Sequence, residues 1–254
     1  MPLSRISKKC LAASLVLFFA NAGRGAADDE LFREGAAAYR ASDYAKAAKA
    51  YCECASRQPA SGTLQNLGIA QWQCGAVGPA VLAWEQSLWL KPFERPARDN
   101  LRFARKSAQL DAPDLAWYEV VSSWFPSGWW AWIAGLSSGL AISMAMLPGI
   151  LRLRKSGWHQ AVAALALMVF LLSVPAQLGA LTRSRIGFVL QKDTPLRLTP
   201  TAEAQTVVRL PAGKAARYER ERGNYVLIRT TPDGVRGWLT REQFGLICSK
   251  PCNQ

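Results

Sequence analysis

The residues best suited to chemistry in this 254-residue chain are one histidine, His159, and six cysteines, Cys10, Cys52, Cys54, Cys74, Cys248 and Cys252. A single imidazole excludes any site that needs two histidine ligands. It also leaves one candidate base for a nucleophile–base pair. The cysteines form a C-x-C and a C-x-x-x-C, neither with the C-x-x-C spacing of a thiol redox centre. There is no Gly-rich phosphate loop and no carboxylate pair that can be placed in one pocket. No catalytic residue, metal or cofactor is therefore expected, and the chain reads as a non-enzyme. What remains is recognition chemistry. Arg98, Arg102, Arg105 and Lys106, with Arg95 just before them, recur at helical spacing. Guanidinium groups so arranged can grip an acidic peptide segment or a terminal carboxylate, or can simply be a solvated helix face.

These side chains need elements to carry them, and charge and hydropathy show where the elements lie. Half of the chain is hydrophobic although its formal net charge is +13. Such a charge raises the question of nucleic acid, but its distribution answers differently. Residues 1–22 carry Arg5, Lys8 and Lys9 and no acid, and residues 23–125 are balanced. Residues 126–182 carry only Arg152, Arg154 and Lys155, and residues 183–254 hold about twice as many basic as acidic side chains. Two of the basic clusters flank apolar runs, a membrane-topology pattern more than a nucleic-acid footprint.

The first run, Cys10 to Ala20, follows the N-terminal cations and ends in Ala20-Asn21-Ala22. That is the layout of a secretory signal peptide over residues 1–22, with cleavage after Ala22 (Ala26 and Ala27 are alternatives). The second run, residues 128–151, is uncharged until its end and opens with Trp129, Trp130 and Trp132. As a helix it would reach roughly 35 Å, enough to cross a bilayer core with its tryptophans at the headgroup level. The third run, residues 160–181, is also uncharged, and Pro148 and Pro175 are tolerable in membrane helices. The two runs predict a transmembrane hairpin whose basic loop, Arg152 to His159, lies in the cytoplasm. Both flanks then face outward, in agreement with the signal peptide. Arg183 and Arg185 pull the other way.

Residues 28–59 and 61–92 superpose with a shift of 33, matching Gly35 to Gly68, Ala47 to Ala80, Tyr51 to Trp84 and Pro59 to Pro92. Each unit predicts two helices, with turns at Asp43-Tyr44 and Gly75-Ala76. Small residues let the helices approach and the aromatic fills the space between them. The pattern resembles the tetratricopeptide repeat and predicts such a domain over residues 28–110. Pro79 falls at the start of a helix, where proline is accepted. A further helix, Ala97 to Gln109, can close the stack through Leu101 and Ala104. The resemblance implies that several of Arg98, Arg102, Arg105 and Lys106 line the concave groove. Tyr39 and Trp72 occupy groove-like positions and serve peptide stacking or core packing.

From Ile186 the pattern turns to short strands around Phe188, Leu196, Leu210, Tyr218 and Val226, with a hairpin signal at Pro232-Asp233-Gly234 before Gly237-Trp238-Leu239. Five or so strands in this length suggest a small barrel. Leu196-Arg197, Pro200, Gly213, Asn224-Tyr225 and Gly237-Trp238 resemble the bacterial SH3-like domain over residues 186–247. That implies a peptide- or cell-wall-binding face, with Trp238 and Tyr225 as candidates, although Trp238 also suits the core.

An exported chain can form disulfides. Cys248 and Cys252 could close a short terminal loop, and Cys74 could reach Cys52 or Cys54, leaving one thiol over. The order of parts, with Asn100-Leu101 and Ala104-Arg105-Lys106 leading into the tryptophan-rich span, resembles the BatE family of bacterial membrane proteins. The resemblance implies an inner-membrane scaffold linked to aerotolerance or envelope stress. Its implied partners are von Willebrand factor A domain membrane proteins and a MoxR-type ATPase, with no nucleic acid. An envelope anchor that binds peptidoglycan through the SH3-like end is the alternative.

Overall fold

The computed structural model describes residues 28–150 and 157–249. The expected signal peptide, most of the basic loop, Cys10 and Cys252 lie outside the described residues. Helix α1 is described over 28–40, followed by α2 (Tyr44–Arg57), α3 (Ser61–Gln73), α4 (Val77–Leu90) and α5 (Arg95–Ser107). The turns fall where the repeat places them. Ser42 (φ 62°) and Gly75 (φ 75°) supply the left-handed residues. Asp43 caps α2 by accepting from the Lys46 N–H at 3.0 Å.

The two copies pack alike. A Cβ on Gly35 would stand 2.9 Å from the Tyr51 ring, and one on Gly68 would stand 2.6 Å from the Trp84 indole. Bare glycine backbone is thus the floor on which each aromatic lies. Between the pairs, Tyr51, Ala55, Leu64, Leu67 and Ala83 form one core cluster. Helix α5 closes the stack with Ala97, Leu101 and Ala104 buried; it ends at Ser107, short of the expected Gln109, which lies in the turn beyond it with φ 52°.

A short helix that the sequence reading did not foresee, α6 (Trp117–Ser122), precedes α7 (Ser127–Ile150) and α8 (Gly157–Arg183). The pair α7 and α8 packs side by side, and both are long and apolar enough to cross a membrane. Helix α8 is longer than the expected 160–181 because Gly157 to His159 and Thr182-Arg183 continue it. The hairpin leaves most of its large apolar side chains exposed, including Leu140, Ile142, Leu172 and Leu178.

Seven strands follow: β1 (Ile186–Val189), β2 (Thr194–Arg197), β3 (Thr206–Leu210), β4 (Ala215–Arg222), β5 (Tyr225–Thr230), β6 (Arg236–Thr240) and β7 (Phe244–Leu246). They form one antiparallel sheet in the order β3-β2-β6-β5-β4-β1-β7. Residues from the outer strands, Leu210 and Phe244, join one cluster with Val189, Leu196, Ile228 and Leu239, so the sheet curls around a single core. The strand without a counterpart in the sequence pattern is the edge β7, three residues long and too short to stand out as a periodic run.

The helical and β parts are not beads on a string. A third cluster mixes Val81, Trp84 and Leu101 of the helices with Ile186, Phe188 and Ala215 of the sheet. Gly78 in α4 lies so close to β1 that a Cβ would meet the carbonyl oxygens of Val189 and Leu190 at 2.4 Å. The Gln86 amide donates to the carbonyls of Leu246 (3.3 Å) and Ser249 (3.2 Å). The domain boundaries expected at 110 and 186 are therefore boundaries of chain, with a common apolar interior between them.

Candidate functional site

Helix α5 is amphipathic by arithmetic. Its alanines and Leu101 recur every three or four residues and face inward, which turns Arg98, Arg102 and Arg105 outward on one side. These three line a cleft of about 370 Å³ with Glu85 and Leu88 of α4 and Ala112, Pro113 and Leu115 of the segment after α5. Arg105 is committed inside the protein, paired with Glu85 across the cleft floor. Arg98 donates to the Pro92 carbonyl at 2.6 Å, and Arg102 stands 3.5 Å from Asp99 in an exposed pair. Exposed pairs of that kind are weak and exchangeable. Two arginines are thus available to an anion from outside, and the third shapes the floor.

The other residues expected in the same groove are elsewhere. Lys106 is exposed but does not line this cleft. Tyr39 lines a separate hollow of about 240 Å³ between α1 and α3, with Arg40, Asn66 and Ile69, and stacks edge-on against Tyr44. Trp72 packs between Trp84 and Phe103 at centroid distances of 6.1 and 5.8 Å, a packing role. One continuous wall of these six residues is therefore not formed. The arginine row faces the 112–115 segment, while Tyr39 faces the α1–α3 hollow.

On the β module, Trp238 is 6% exposed. It points away from the core, since its neighbour Leu239 fills the core, and the Arg220 guanidinium covers it at 5.5 Å from the ring centroid. Arg197, Trp238, Leu227 and Arg220 are cross-strand neighbours over β2, β6, β5 and β4. Trp238 is therefore the buried middle of a cationic row and offers no open stacking surface. Tyr225 is half-buried at the start of β5.

Charged residues that sequence reasoning missed gather where the parts meet. Glu119 of α6 is fully buried. It accepts both guanidinium branches of Arg217 in β4, at 2.7 and 2.6 Å, and the Ala116 N–H at 2.9 Å. Burial pushes its carboxyl up, but the hydrogen bonds from Arg217, the Ala116 N–H and Thr182 and the Arg217 charge outweigh it and hold it below the usual carboxylate range. The hydrogen bond to Glu119 and its charge in turn push Arg217 up against the opposing effect of burial. Arg183, the last residue of α8, lies 5.1 Å over the Trp89 ring and donates to the Ser122 hydroxyl at 3.4 Å. Lys214 bridges Asp111 (3.1 Å) and Asp233 (2.8 Å), tying the segment after α5 to the β5–β6 hairpin. The available signal was Glu119 itself, a lone acid in a stretch crowded with tryptophan.

The disulfide expectations need correction. Cys54, Cys74 and Cys248 are free thiols, so neither a Cys248–Cys252 loop nor a bond from Cys74 to Cys52 or Cys54 forms. Cys54 points instead at the Asp28 carbonyl, at 3.4 Å, and Cys248 at the Ser184 carbonyl, at 3.1 Å. Cys52 is disulfide-bonded. Among the described residues no group of three or more His, Cys, Asp or Glu side chains converges as a metal site.

No family model matches this chain, and neither a curated protein nor a solved structure does. The functional reading rests on the geometry above and on the sequence patterns.

Proposed function

We propose that the protein is a non-enzymatic membrane scaffold whose arginine-lined cleft docks an acidic segment of a protein partner. The observation that carries the reading is the convergence of Arg98, Arg102 and Arg105 on one cleft, with the first two held only by a carbonyl and a weak exposed pair. A carboxylate entering there gains two charge-assisted contacts and displaces little. The helices α7 and α8 cross the inner membrane, and the repeats and β module lie together on the periplasmic side. The basic loop and the expected signal peptide support that orientation. The helical units resemble tetratricopeptide repeats and the sheet resembles a bacterial SH3-like domain. Through its likeness to the BatE family, the scaffold's partners are von Willebrand factor A domain proteins and a MoxR-type ATPase system.

Recovery of those partners with the full-length protein from native membranes tests the reading. Arg98→Glu with Arg102→Glu should lower recovery at least tenfold while leaving the scaffold folded, since Arg105 and its Glu85 pair are untouched. Unchanged recovery would remove the cleft from the interaction.

A second reading has one observation in its favour. The row Arg197–Trp238–Leu227–Arg220, with Arg222, Arg229 and Arg236 nearby, gives the sheet a cationic outer face suited to anionic envelope polymer or peptidoglycan. Co-sedimentation of the full chain with cell-wall sacculi, compared with an Arg220→Glu/Arg222→Glu variant, decides it. Equal sedimentation of the two ends this alternative.

A further inference from the structure

Helix α6 is built inside out. A short surface helix ordinarily turns its acid to water and its apolar residues to the core. Here Glu119 is 0% exposed and Ser122 1%, while Trp117 is 68% and Val120 43% exposed. The residues that continue the chain repeat the inversion, with Trp124 at 55% exposed and Phe125 also exposed. Exposed tryptophans beside a satisfied, buried carboxylate are costly in water and suited to a medium that is apolar on its outer side.

The position of α6 says which medium that is. It packs against the last turns of α8, where a Cβ on Gly179 would stand 2.2 Å from the Tyr118 carbonyl oxygen. It also packs against the first turn of α7, where the Trp130 indole donates to the Ser122 carbonyl at 3.1 Å. Gly179 is four residues from the end of α8, so α6 sits within about 6 Å of the end of that helix along its axis. At the same end of α7, beside the Trp130 that bonds to α6, Trp129 and Trp132 are exposed as well. Together these side chains make a band of aromatic residues at one end of the hairpin, the level at which tryptophan partitions between headgroups and acyl chains.

We propose that α6, with Trp124 and Phe125, lies in the interfacial layer of the bilayer and binds the lipid surface. The proposal rests on the reading of α7 and α8 as membrane spans. Its consequence is positional. Glu119 is bound to Arg217 of the sheet, and the α6 residues Tyr118 and Ser122 touch the hairpin, so the interfacial helix holds the β module against the membrane surface. The 112–115 wall of the cleft is only a few residues upstream. Pro113 is at most about 14 Å of extended chain from Trp117. The cleft therefore opens close to the lipid surface.

The test is photo-crosslinking of the full chain in phosphatidylethanolamine–phosphatidylglycerol nanodiscs. Benzoylphenylalanine is placed in turn at Trp117, Val120, Leu140 and, as a negative control, Tyr225. Adducts are read as the mass of one phospholipid. The proposal expects phospholipid adducts at 117, 120 and 140 and none at 225. Adducts at 140 without any at 117 and 120 would overturn the interfacial helix while leaving the spans in place. Absence of adducts at 140 as well would overturn both the proposal and the membrane reading beneath it.

Discussion

Replacing Glu119 by Gln would measure how firmly the hairpin, α6 and the sheet are joined. The change keeps the shape and an acceptor for the Ala116 N–H, but it removes the charge opposite Arg217. Breaking a buried ion pair from one side typically costs about 3–5 kcal/mol. Arg217 keeps 28% of its side chain exposed and can be partly rehydrated, so the lower end applies, and the retained amide acceptor brings the expectation to about 2–3 kcal/mol. For a domain of this size that corresponds to a fall in apparent Tm of about 5–10 °C, read by thermal unfolding in nanodiscs. The double variant Glu119→Gln/Arg217→Met leaves no stranded guanidinium and should recover at least half of the loss. The pH dependence has a definite sign. The Glu119 carboxyl is held below its ordinary range in the folded protein, so its stabilisation is fully present above the unfolded carboxylate pKa. It is lost as pH falls through the folded value. The gap between wild type and Glu119→Gln should therefore be constant near neutrality and close only in acid. A variant as stable as wild type, or a gap that persists below the carboxylate range, would refute the assignment of Glu119 as the clamp.

Further outcomes follow from other contacts. Gly78→Val places atoms against the carbonyl oxygens of Val189 and Leu190, which cannot yield, and should lower hydrogen-exchange protection of α4 and β1 together. Gly62→Ala, with open space around it, should leave both unchanged. Gln86→Leu removes the amide that ties α4 to the carbonyls of Leu246 and Ser249 and should cost about 0.5–1.5 kcal/mol, with exchange rising over residues 246–249 and little change elsewhere. Maleimide without reductant should label Cys74 and Cys248. Cys54, buried and with its thiol pushed up by that burial, should stay protected, and Cys52 should react only after reduction. Labelling of Cys54 at the rate of Cys74 would contradict the packing of α2.

Local and periodic features were legible in the sequence. The helix pairs could be read because Gly35 with Tyr51 and Gly68 with Trp84 are short-range partners whose chemistry repeats. The two long apolar helices were legible because absence of charge over such a length is itself the signal. The hairpin at Pro232-Asp233-Gly234 was marked by its turn residues, and Gly234 has φ 70°. Pairings between distant segments were not legible. Glu119 and Arg217, Gln86 and Leu246, and Gly78 and Val189 join parts separated by 98 to 160 residues, and no spacing rule links them. The site shows the same division. Arg98, Arg102 and Arg105 belong to one helical face, so their convergence followed from their spacing. Their separation from Tyr39, and the capping of Trp238 by Arg220, depend on how helices and strands are stacked.

The core shared by α4, α5 and the sheet also sets a parity rule on the chain. Val81 and Trp84 precede the hairpin in sequence, and Ile186, Phe188 and Ala215 follow it, yet all bury one another. Both ends of the hairpin must therefore emerge on the same side of any membrane that α7 and α8 enter. An even number of crossings satisfies this, and a single crossing would tear the core in two. Insertion and folding are thereby coupled: the face of α4 and α5 that meets the sheet stays open until the second span has returned the chain to the side where it began.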